Sequence, residues 1–191
     1  MTATEPTKVF LDAEFLGTGR LIVPISIGLV AATGAEYYAV YADIDLRQVS
    51  KHPWLNQHVA PHLPVCRTGA GWTWDRSHPE FTAVKPRTAI AREVADFFAE
   101  LANPQIWAYF SPYDTIVLTQ LYGPLSDLPP GIPGFTQDLM HEAHRSGTAL
   151  PEQKPPVHHA LHDARHRCHD RAHRYPAQRS VVRLPSTTTA L

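Results

Sequence analysis

The chain has 191 residues, 43% hydrophobic and 18% charged, with a formal net charge of −1, a composition that excludes a disordered chain and a membrane-embedded one. That length fits a single domain with a sizeable core. The near-zero total conceals an asymmetry: beyond Asp163, six arginines (165, 167, 171, 174, 179, 183) stand against one acid, Asp170, a balance of +5 that leaves −6 for residues 1–163.

In chain order, Val9 to Phe15 reads as a buried strand, and Leu16 to Arg20 as a turn. Pro24 to Ala31 predicts a second strand, with Pro24 at its start, where a missing N–H is tolerated. After the Thr33-Gly34 turn, Glu36 to Tyr41 predicts a third, aromatic-rich strand, so the first three strands form an antiparallel meander. Residues 43–82 are less regular. Trp54, Val59 and Leu63 fit a helix that Pro61, Pro64, Gly69 and Gly71 break into a loop. Thr88 to Leu101 predicts a helix, because Ile90, Val94, Phe97, Phe98 and Leu101 recur at helical spacing before Asn103-Pro104 stops it. Ile106 to Phe110 is a fourth strand, Tyr113 to Tyr122 a helix, Phe135-Thr136 a short strand and Asp138 to Arg145 a helix. A final helix is predicted from His158 or His159, after Pro155-Pro156, and the polar stretch 176–191 is predicted disordered, leaving a domain over 8–175. The elements describe an α/β fold: a mixed five-stranded sheet with an antiparallel meander and flanking helices.

Two widely separated cysteines, Cys66 and Cys168, and the polar start from Thr2 to Lys8 predict a reducing, cytoplasmic setting.

The candidate chemistry begins with Asp12 and Glu14. Alternate residues of a strand share a face, so the two carboxylates project together with Ala13 turned away. Adjacent carboxylates resist joint ionisation unless a cation sits between them, and a hard divalent metal is the simplest resident. Taken alone, the pair also fits a strand that merely ends at a solvated turn. Asp114 stands at the start of a predicted helix, where an acid is commonly a cap or dipole partner. His158 lies just after two prolines and Asp163 five residues on, inside the predicted helix, so both can face one cavity.

Asp12-x-Glu14 on the first strand, Asp114 opening a helix after the fourth, and His158-x4-Asp163 near the end together resemble the DEDDh 3′-to-5′ exonucleases, of ribonuclease H-like fold. Within that group the chain is most similar to the actinobacterial polyadenylate-specific 3′-exoribonucleases. The likeness rests also on Ile25-Ser26-Ile27-Gly28, Glu36 to Val40, Trp107-Ala108, Tyr113-Asp114 and Gln120 to Pro124, and covers about residues 8–167. Gly17-Thr18-Gly19 and Val23-Pro24 depart from the polyadenylate-specific pattern, which bears on base preference.

The resemblance implies a two-metal hydrolysis of single-stranded RNA, adenylate-rich at its 3′ end, to 5′-mononucleotides. Asp12, Glu14, Asp114 and Asp163 would hold two Mg2+ ions, with Mn2+ able to substitute. His158 would take the proton of the attacking water. Phe15 and Tyr113 are the candidate substrate-binding residues, Phe15 by stacking on or wedging beside the terminal base; a core phenylalanine explains it equally well. A homodimer is implied by kinship. Competing expectations are other substrates (short RNA, tRNA or single-stranded DNA ends) and an inactive RNA- or partner-binding module. His158, His162, His166, Cys168, His169 and His173 also include helical pairs able to bind zinc, without the paired-cysteine spacing of a structural site.

Overall fold

The computed structural model describes residues 5–69 and 71–148. The predicted last helix and the 176–191 tail lie outside the described residues.

Three antiparallel strands open the fold: β1 (Thr7–Gly17), β2 (Ile22–Ala31) and β3 (Glu36–Tyr41). They are followed by α1 (Leu46–Lys51), α2 (Pro53–His58), the hairpin β4 (Val65–Thr68) and β5 (Gly71–Trp74), and the two-residue β6 (Val84–Lys85). Next come α3 (Arg87–Ala99), β7 (Pro104–Ala108), α4 (Ser111–Thr119), β8 (Thr136–Asp138) and α5 (Leu139–Ser146). The main sheet runs β6-β3-β2-β1-β7-β8, with β7 parallel to β1 and β8 parallel to β7. This mixed sheet flanked by helices is consistent with the ribonuclease H-like fold. It has one strand more than the five predicted, because β6 is too short to carry a periodic signal.

Alternation along β1 divides the core. Val9 and Leu11 belong to the larger cluster, with Ile90, Val94 and Phe98 of α3 and Val117 and Leu118 of α4. Phe10 belongs to a smaller cluster with Val30, Trp107 and Leu139. Asp12 and Glu14 follow Phe10 at intervals of two, so they emerge from the more thinly covered face.

Three local expectations need correction. The stretch read as a loop around Gly69 and Gly71 forms the β4–β5 hairpin, docked by Trp72, whose indole N–H donates to Asn56 Oδ1 at 2.7 Å and whose amide donates to Ser50 Oγ at 3.3 Å. Gly71 has φ +118, and a Cβ there would meet Ser50 Oγ at 2.9 Å, so this turn requires glycine. The fourth strand ends at Ala108, and Phe110 instead adopts a left-handed conformation (φ 56, ψ 56) that lets α4 start two residues earlier than predicted. The short strand after the proline-rich connector begins at Thr136, leaving Phe135 exposed. Among the described residues, no helix is long and apolar enough to cross a membrane.

Candidate active site

The site is built on the stretch of β1 that has outrun its neighbour. Pairing between β1 and β7 stops at Leu11–Ala108, and from there β1 continues with β2 alone. In the antiparallel register Asp12 stands opposite Gly28 and Glu14 opposite Ser26. Directly opposed residues share a face with Cβ atoms about 4.5–5.5 Å apart, so the two small residues Gly28 and Ser26 are the cross-strand neighbours of the carboxylates. Asp12 and Glu14 are 5% and 7% exposed. They therefore do not end a strand in solvent. β1 runs three residues beyond Glu14, and its register against β2 shifts between Glu14 and Phe15. Pro24 pairs at that irregularity, where a strand tolerates a residue without an N–H.

Asp114, also 5% exposed, comes to this strand from the first turn of α4. Its Oδ1 accepts the backbone N–H of Ala13 at 2.9 Å, two residues past the last β1–β7 pair. The bond is long-range: the carboxylate takes up the strand amide lying between Asp12 and Glu14 in sequence. The neighbouring Tyr113 stacks on Phe15, with ring centroids 5.3 Å apart and planes 15° apart. The two predicted substrate-binding residues thus form one aromatic pair, and the Tyr113 ring is exposed.

Asp138, absent from the predicted site, fixes where α4 begins. It ends β8 opposite Ala108 and caps α5, its Oδ1 accepting from Met140 N at 2.7 Å and His141 N at 3.3 Å. Its Oδ2 accepts from Ser111 N at 2.7 Å, which pins the first residue of α4 immediately after the left-handed Phe110. Burial pushes the Asp138 carboxyl up, but the hydrogen bonds from Ser111 and Met140 outweigh it and hold the group below the usual aspartate value. In the sequence Asp138 shows only as the first residue of a predicted helix. Its second bond depends on β7 and β8 being neighbours, which no local pattern reveals.

His158 and Asp163 lie outside the described residues, as do the histidines and Cys168 of the zinc alternative. Among the described residues, no three His, Cys, Asp or Glu side chains are grouped closely enough to hold a metal ion. The described part of the site therefore supplies two buried oxygen donors on one strand face, with Asp114 bound to the strand between them.

A profile of the Rv2179c-like 3′-5′ exoribonuclease domain matches residues 7–171. The chain belongs to this family. Two relatives from Mycobacterium tuberculosis are each 34% identical over 161 residues, covering 83% of this chain and 87% of theirs. They are named 3′-5′ exoribonuclease Rv2179c, in strain ATCC 25618 / H37Rv, and 3′-5′ exoribonuclease MT2234.1, in strain CDC 1551 / Oshkosh. The Rv2179c-like match takes in both the described carboxylates and the His158–Asp163 segment.

Proposed function

We propose that this Rv2179c-like protein is a magnesium-dependent 3′-to-5′ exoribonuclease that removes 5′-mononucleotides from single-stranded RNA. The observation that carries the reading is the pair of buried carboxylates on one face of β1, with the Asp114 carboxylate bonded to the amide between them. Burying two acids side by side costs desolvation and mutual repulsion, which a divalent cation offsets. The donor set fits magnesium, a hard cation that prefers carboxylate oxygens and keeps several waters. Asp12 and Glu14, with Asp163 from the C-terminal segment, would hold the metals. Asp114, whose Oδ1 is already engaged by Ala13, suits a role through a retained water. When bound, the ions neutralise charge at the scissile phosphate and ease deprotonation of the attacking water.

The chain's own residues supply the rest. His158 takes the proton of that water, because a neutral imidazole is a general base suited to physiological pH. The Phe15–Tyr113 pair offers an apolar platform to the 3′-terminal base, and stacking tolerates any base because each presents a π-face. Preference for adenylate-rich ends rests on the sequence likeness to the polyadenylate-specific enzymes, as does assembly into a homodimer. Sedimentation equilibrium checks the latter, with twice the chain mass expected.

Product analysis on matched RNAs tests the function. With Mg2+, an oligonucleotide ending in adenylates should release AMP stepwise from its 3′ end, faster than a uridylate-ended one releases UMP. Equal rates would remove the adenylate preference. Release from a DNA oligonucleotide at the RNA rate would make the substrate single-stranded nucleic acid in general. No release from any substrate would leave an inactive binding module.

A further inference from the structure

The hydroxyl of Ser26 stands opposite Glu14 and is not explained by the fold. Ser26 is 1% exposed, and among the described residues its Oγ has no hydrogen-bond partner. A buried hydroxyl without a partner is costly, and alanine would fill nearly the same space without that cost. Its backbone takes part in both ladders, pairing with Glu14 on one side and Val40 on the other, so neither ladder calls for a hydroxyl. Glu14 is the residue directly across the strand pair on the same face, and is itself buried. Gly28, two residues along β2, faces Asp12 in the same way. The strand thus places one small donor opposite one carboxylate and a residue without a side chain opposite the other.

We propose that Ser26 is a positioning residue of the carboxylate centre, donating its hydroxyl to the Glu14 carboxylate when Glu14 binds a divalent cation. A carboxylate that gives one oxygen to a metal has its second oxygen left for a donor, and such a donor fixes the ligand's orientation and tightens binding. Serine suits the task because its rotor is short and its hydroxyl turns to whichever acceptor approaches. The inference rests on the metal centre proposed above, and it concerns ion affinity rather than turnover.

Calorimetric titration of the full-length chain with manganese chloride, without RNA, tests it on wild type, Ser26→Ala and Ser26→Cys. Ser26→Ala should weaken Mn2+ binding about 10- to 100-fold while leaving the metal-free Tm unchanged or higher, since it removes a desolvated hydroxyl. Ser26→Cys fills the same space with a weaker donor, so it should also bind Mn2+ less tightly than wild type, and it keeps the comparison available should the alanine variant not fold. Equal Mn2+ affinity in wild type and variants would overturn the proposal, as would a lower metal-free Tm large enough to account for the weakened binding. Failure of the wild type itself to bind Mn2+ would overturn the metal centre, a result distinct from equal affinities.

Discussion

At the scale of single residues, charge and shape separate cleanly at this site. Asp138 accepts three backbone N–H bonds that join α4, β8 and α5, and these hold its carboxyl below the ordinary aspartate value. A depressed folded-state value contributes stability that is present above the unfolded value and lost as pH falls through the folded one. Acid unfolding below about pH 4 should therefore be partly due to Asp138. Asp138→Asn has a single accepting oxygen for bonds that Asp138 takes on two, so it should lower stability near neutral pH by about 1–2 kcal/mol and flatten the acid limb of a Tm-against-pH curve. An acid limb as steep as that of the wild type would show that Asp138 contributes nothing to it. Phe15, partly buried against the main core cluster, carries the proposed substrate contact. Phe15→Ala should raise KM for single-stranded RNA by about 5- to 150-fold, the equivalent of about 1–3 kcal/mol of stacking, and steady-state kinetics measures it. The stack with Tyr113 could be read from the sequence only as two separate candidates. Their contact requires α4 to lie against the far end of β1, which follows from the β1–β7 pairing and not from either local pattern.

At the scale of elements, the join between β7 and α4 governs the site. Phe110 holds a left-handed backbone at which a bulky side chain is strained, and its ring is 52% exposed. Phe110→Gly should relieve that strain and raise stability by up to about 1 kcal/mol, read as a higher midpoint in urea; glycine in the body of α4 should do the opposite. The periodicity of Ile90, Val94 and Phe98 made α3 legible, because all three face the core cluster at helical spacing. The same method failed at Phe110, where an apolar residue after a buried strand reads as one more strand residue. It failed again at β4–β5, whose prolines and glycines look like a loop until Trp72 is seen docked on Asn56 and Ser50. Gly71→Ala should lower the urea midpoint, because a Cβ there would press on Ser50 Oγ and the φ of +118 disfavours any side chain.

At the scale of the whole molecule, the sheet order explains why Asp114 reaches the strand that carries Asp12 and Glu14. Running β2-β1-β7-β8 places the end of β1 beside the start of α4, and the end of β8 beneath it. Asp12 and Glu14 could be paired from the sequence because strand alternation is local. Asp114 could not be assigned to them by spacing, since an acid in a first helical turn is usually a cap; what ties it to their strand is its bond to Ala13 across 101 residues.

The amide of asparagine can still accept the Ala13 N–H, so Asp114→Asn retains that bond while removing the negative charge. Single-turnover release of 5′-mononucleotide from single-stranded RNA with Mg2+, compared between wild type and Asp114→Asn at matched Tm, tests the hydrolytic centre most directly. A fall of at least about 100-fold, or roughly 2.7 kcal/mol of lost transition-state stabilisation, is the expected result. An unchanged rate would reduce Asp114 to a structural tie between α4 and β1 and contradict the assignment of the carboxylates to catalysis.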